Sequence, residues 1–135
     1  MKSTQEVLDH HLQAFGEGLE SILSDYDENS TVLSQQGSFK GMAEITNFFT
    51  AFVQSLPEGF MNKFNITNSA VDGEVAYITW DALPWFPLGT DTFVVRDGKI
   101  LYQTFAAHAA GWWIDLLILW HIFEKAIIVL FGVAT

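Results

Sequence analysis

Gly89-Thr90-Asp91-Thr92-Phe93-Val94-Val95-Arg96-Asp97-Gly98-Lys99-Ile100-Leu101-Tyr102-Gln103-Thr104-Phe105-Ala106-Ala107-His108 decides the fold of this 135-residue chain. Two β-branched and aromatic segments flank Asp97-Gly98, a pair that favours the type I′ turn of a two-residue hairpin loop. The same punctuation recurs upstream at Asp72-Gly73. Four strands are therefore predicted, over residues 63–71, 74–83, 89–96 and 99–108, with Pro84-Trp85-Phe86-Pro87 looping between the middle two.

Upstream the period changes from two to that of a helix. Leu8, His11, Leu12 and Phe15 fall on one helical face, as do Leu19, Ile22, Leu23 and Tyr26, and then Ile45, Phe48, Phe49, Phe52 and Leu56 before Pro57. Thr31 to Ser34 reads as a short strand and Gly37 to Gly41 as a turn. Helices gathered ahead of an antiparallel meander predict an α+β domain in which N-terminal helices pack on a curved antiparallel sheet.

Composition limits the partners. A formal charge of −10 repels phosphate backbones and anionic lipid, so nucleic acid is not expected. No cysteine is present for disulfides or thiolate metal sites, and no signal-like segment opens the chain, so a cytoplasmic protein is expected. No HxH or HExxH spacing occurs, and neither a metal nor another cofactor is expected.

Counting outward from Asp97-Gly98 pairs Arg96 with Lys99, Val95 with Ile100, Phe93 with Tyr102 and Asp91 with Thr104. This register puts Asp91, Phe93, Tyr102, Thr104 and His108 on one face, with Gln103 and Phe105 on the other. The first hairpin stays open between Phe64, Ile66, Tyr77 and Asp81 on one side and Thr67, Ile78 and Trp80 on the other. A buried Asp91 would have its charged form disfavoured unless a cation such as His11 offset this. Asp91 and His11 are thus the candidate acid/base pair, the alternative being a rim carboxylate bonded to Thr104 and an ordinary core histidine. His10, off the helical stripe, reads as a solvated neighbour. Tyr26, Trp80, Trp85, Phe93 and Tyr102 are the candidate aromatic wall for a planar or polycyclic molecule, with Thr104 and His108 beside them. Trp85-Phe86, between two prolines, reads as a lid or a dimer contact.

The segment Leu12 to Leu23, the stretch Gly37-Ser38-Phe39-Lys40-Gly41 and above all Gly89 to Ile100 leading to Phe105-Ala106-Ala107-His108 resemble SnoaL-like proteins of the nuclear-transport-factor-two-like (NTF2-like) superfamily. The resemblance covers residues 1–109 and implies a cone whose sheet wraps a pocket. It is specific for fold and weak for function, because the superfamily hosts isomerases, cyclases, dehydratases, epoxide hydrolases and non-catalytic proteins. Ketosteroid isomerases in it use a Tyr and a protonated Asp as oxyanion hole and a second Asp as base. By resemblance Asp91 matches the oxyanion-hole Asp, His11 stands where the Tyr would be, and Ser34 falls at the base position, which argues against steroid isomerisation. SnoaL-type cyclases carry an acid/base Asp on the pocket strands, for which Asp91 or Asp81 would have to serve. The expected function is binding of a small apolar or polycyclic molecule, with isomerase, cyclase or lyase chemistry by proton transfer; a non-catalytic binding or dimerisation module is the alternative.

Residues 110–135 read as a separate apolar extension, expected to be helical, with Gly111 to Thr135, 25 residues, about 37 Å long as a helix. Asp115, Glu124 and Lys125 interrupt it, which disfavours a membrane span. A cap over the cone mouth or an apolar contact in a homodimer is favoured over an interfacial membrane anchor, the third reading.

Overall fold

The computed structural model describes residues 1–111. The boundary at 109 and the expected helical tail fall at or beyond the end of the described residues. Ten elements follow in order: α1 Thr4–Ala14, α2 Leu19–Leu23, β1 Thr31–Ser34, β2 Gly37–Lys40, α3 Gly41–Ser55, α4 Phe60–Lys63, β3 Phe64–Asp72, β4 Val75–Ala82, β5 Phe86–Arg96 and β6 Lys99–His108. The six strands form one sheet in the order β2-β1-β6-β5-β4-β3. The α+β class holds, with one refinement. The meander β3 to β6 is antiparallel, but β1 lies parallel to β6, so the sheet is mixed.

Local chemistry starts and stops the helices. Ser3 caps α1 by accepting from the Glu6 amide, while the Glu6 side chain accepts from the Ser3 amide, so two end donors that a helix leaves unpaired are satisfied. Ser3→Ala is expected to cost about 1 kcal/mol, read as a lower urea midpoint with an unchanged slope. Helix α3 ends at Leu56, which takes the extended conformation demanded of a residue before proline. Asp97 and Gly98 both have positive φ, 53° and 74°, and close the β5–β6 hairpin as a type I′ turn.

Three readings of the sequence are corrected here. Residues 37–40, expected as a turn, form β2, pairing with β1 from Thr31↔Lys40 to Ser34↔Gly37. Strand β5 begins at Phe86, so the Pro84-Pro87 loop is shorter than expected. Phe64 pairs with Ala82 and Ile66 with Trp80, so these apolar residues share the inner face, while Tyr77 and Asp81 face outward. The cause is a bulge at Thr67, between the pairs Ile66↔Trp80 and Asn68↔Thr79, which shifts the register by one residue.

Helix α1 packs on β4 and β5, and α3 packs on β1 and β2. Val7 and Leu8 of α1, Ile45, Phe48 and Phe49 of α3, Ala76, Ile78 and Trp80 of β4 and Phe93 and Val95 of β5 fill the space between. A cavity enters this core, and buried polar side chains gather at its floor. Among the described residues no helix is long and apolar enough to cross a membrane.

Candidate functional site

A cavity of about 40 Å³ opens between α1, α3, α4 and the concave face of the sheet. Its rim is apolar and partly exposed: Leu12, Phe15, Phe52, Met61, Phe64 and Phe105. Its floor carries the polar atoms, on Asp91, Gln103, His11 and Trp80, among Phe48, Phe49, Ile78 and Phe93.

Asp91 owes its place to alternation along β5, where Gly89, Asp91, Phe93 and Val95 all turn inward. Only 8% of it is exposed. Its carboxyl is held from two sides: Trp80 Nε1 donates to Oδ1 at 3.1 Å and Gln103 Nε2 donates to Oδ2 at 2.9 Å. Burial raises its pKa above the ordinary carboxylate value, against the lowering effects of the Trp80 and Gln103 hydrogen bonds and of the charge on His11. The group is thereby moved toward a range where an acid or base is useful near neutral pH.

His11 is 1% exposed, on the inner stripe of α1, and its ring meets Phe15, Tyr26, Phe49 and Phe93 edge-on. It does not bond to Asp91. Its Nδ1 lies 3.1 Å from Oδ2 of Asp25, and its Nε2 lies 3.3 Å from the Tyr26 hydroxyl. Tyr26 in turn makes a short hydrogen bond to Gln103 Oε1. The candidate pair is therefore joined through Tyr26 and Gln103. The Tyr26 phenol is pushed well above its ordinary pKa by burial and by the Asp91 and Asp25 carboxylates, so it stays a neutral hydroxyl.

His10 is not simply solvated. Its Nδ1 lies 2.7 Å from Asp25 Oδ1, so Asp25, itself 2% exposed, sits between the two histidines. Among the described residues no group of three His, Cys, Asp or Glu could hold a metal ion.

The wall expected from the sequence is only partly the wall observed. Trp80 and Phe93 line the cavity; Tyr26 lies behind it, against His11. Tyr102, Thr104 and His108 are exposed and point away from it. The pairs Arg96↔Lys99 and Val95↔Ile100 occur as counted, but Leu101 bulges, Val94 meets Tyr102, and Phe93 and Asp91 meet Gln103 and Phe105. One extra residue therefore exchanges the two faces of β6. Trp85 is not among the lining residues; its amide bonds to Ala82 and its carbonyl to Ala110. Phe86 packs on Phe60 and Trp80 in the core, which removes it as a lid. Ser34 ends β1 and bonds Gln36.

Gln103 and Asp25 were missed. The adjacent apolar pair Ile100-Leu101, which breaks strict alternation, was the signal for the bulge and hence for Gln103. Asp25 adjoins the stripe residue Tyr26, and no spacing marks it.

An open cone of helices on a curved six-stranded sheet, with one inward carboxylate, is an architecture that can be compared. The fold is that of the NTF2-like proteins. A SnoaL-like protein of unknown function from Burkholderia thailandensis is similar with a TM-score of 0.62 and 17% identity, over 80% of this chain and 95% of that one. A protein provisionally described as a polyketide cyclase from Sinorhizobium meliloti is similar with a TM-score of 0.59 and 16% identity, over 73% of this chain and 92% of its own. One provisionally described as a ketosteroid isomerase from Kribbella flavida is similar with a TM-score of 0.61 and 18% identity, over 79% of this chain and 78% of its own. Neither a protein-family model nor a curated protein matches the chain. The NTF2-like likeness, at these identities, is one of fold.

Proposed function

We propose that the chain binds a small planar molecule with one polar group in this cavity, and that Asp91 exchanges a proton with it in an isomerase, cyclase or lyase reaction. The observation that carries this reading is a single carboxyl, nearly buried, at the floor of an aromatic cavity and held by two donors that leave lone pairs free. As a carboxylate, Asp91 can take a proton from an acidic carbon next to a carbonyl; as an acid it can donate to the carbonyl oxygen. The apolar surroundings strengthen either interaction, because water does not compete there. His11 supports the site from behind and does not pair with Asp91.

Size narrows the ligand. Cavities near 150 Å³ hold a benzene ring, and this one is about 40 Å³. A polycyclic molecule therefore needs Phe15, Phe52 and Met61 to move outward, whereas a fragment needs only small displacements. The same smallness, and the absence of a second carboxylate among the cavity's lining residues, support the alternative of a non-catalytic binding module.

The test is a set of crystals soaked with mono- and bicyclic carbonyl compounds. Density within hydrogen-bond distance of Asp91, with turnover of the same compounds in solution, is the expected result. Bound compounds without turnover favour the binding module; no density in the cavity from any compound refutes both.

A further inference from the structure

Hydrogen atoms can be counted along the buried groups behind the cavity. Four contacts run in series: Asp25 to His11, His11 to Tyr26, Tyr26 to Gln103 and Gln103 to Asp91. Each needs one hydrogen. A neutral imidazole supplies one, the phenol one, and the Gln103 amide one, because its oxygen faces one neighbour and its nitrogen the other. Two ionised carboxylates supply none. Neutral His11 between two ionised carboxylates therefore leaves one contact without a hydrogen, in a place where an unmade bond is costly. No buried side-chain nitrogen or oxygen among the described residues lacks a partner.

We propose that Asp25, His11, Tyr26, Gln103 and Asp91 form one hydrogen-bonded chain that holds a single extra proton, resident either at the Asp25–His11 end or on Asp91. In the first arrangement both ring nitrogens of His11 are protonated, Nε2–H points at the tyrosine oxygen, Tyr26 donates to the Gln103 carbonyl, and the amide donates to ionised Asp91. In the second, Asp91 carries the proton and donates to the Gln103 carbonyl, the amide has turned over and donates to Tyr26, and Tyr26 donates to a bare Nε2. The amide rotates; it does not carry the proton. The two arrangements differ in the charge of Asp91 and in whether Nε2 of His11 carries a proton; His10, at the outer side of Asp25, is 29% exposed.

Other titratable groups do not interrupt this count. Asp25 and Tyr26 come from the segment after α2, His10 and His11 from α1 and Asp91 from β5; Glu17 feels His10 at the outer end. The cavity-lining residues of α3, α4, β4 and β6 carry no titratable side chain. Gln103 and Tyr26 are thus positioning residues: their orientation reports which end holds the proton.

The chain belongs to the ligand-free protein, so its test is independent of the proposed activity, although its use in turnover rests on that reading. The measurement is nitrogen and carbon NMR at pH 7 on the described domain within the full chain, following the His11 ring nitrogens and the carboxyl carbons of Asp25 and Asp91. One proton beyond a neutral ring and two carboxylates is expected. A singly protonated ring between two ionised carboxylates overturns the proposal in the unaltered protein. Asp91→Asn adds a second reading. The donor-only Trp80 indole fixes the oxygen of the new amide toward itself. Its NH₂ then faces Gln103, which turns the remaining donors toward His11. Nε2 is expected bare in this variant, and a protonated Nε2 refutes the chain.

Discussion

Asp91→Asn is expected to leave the cone folded while lowering proton-transfer turnover by a factor of about 10²–10⁴, the range a positioned acid or base contributes. The substitution keeps shape and keeps the acceptor for Trp80. Rotation of the Gln103 amide supplies the partner for the new NH₂, so no buried group is orphaned. The variant should also gain stability as pH rises. Burial raises the Asp91 pKa in the folded state, so the folded chain binds more protons than the unfolded one between the ordinary carboxylate value and the raised one. Stability at this site therefore falls as pH climbs through that window. Below it Asp91 is neutral in both states and the two proteins should differ little. Urea melts of both at acidic and neutral pH give the comparison. A difference that does not move with pH removes the buried-carboxyl account, and undiminished turnover removes Asp91 from the chemistry. Loss of activity with a gain in stability is the usual signature of a site whose strain serves function.

The second large effect is expected at a glycine, through packing. Gly89 pairs directly with Trp80, and a methyl group at Gly89 would lie 2.1 Å from Cε2 of the indole. No such contact can persist, so the ring must move. It is hemmed in by Phe105, stacked at 6.3 Å, and by Phe60 and Phe64. Gly89→Ala should therefore cost about 3 kcal/mol, at the upper end of ordinary overpacking, and should also release the hydrogen bond from Nε1 to Asp91. Both consequences can be read in one denaturation series followed by tryptophan fluorescence. Combining Gly89→Ala with Trp80→Leu should recover part of the stability, because the two groups compete for one space. An unchanged midpoint in the single variant would mean that the indole does not lie over this glycine.

The sequence carried the architecture because architecture depends on period and punctuation. Helical stripes ending at Pro57 and the Asp97-Gly98 hairpin are local signals, and each appears where it was read. Asp91 and Phe93 share one face of β5, whose alternation is unbroken over the stretch concerned, whereas the face of Trp80 on β4 stayed open in the sequence. The lining from β6 could not, because Leu101 breaks the alternation midway between the turn and the cavity. Bulges at Thr67 and Leu101 are single-residue events with no strong composition signal, yet each reverses every side chain beyond it. The link from His11 to Asp25 was hidden for another reason. It joins residues 14 apart across a helix end, and only the packing of α1 against the segment after α2 brings them together.

The bulge at Leu101 also means that β6 encodes two cavities. One set of side chains, Gln103 and Phe105, furnishes the present interior; a second, Tyr102 and Thr104, is carried in the same ten residues and faces outward. Pairing Leu101 with Val94 instead of bulging it would exchange them together, replacing an amide with a phenol and a hydroxyl beside Asp91. A register change of one, with no substitution at all, would rewrite what this strand offers to a bound molecule.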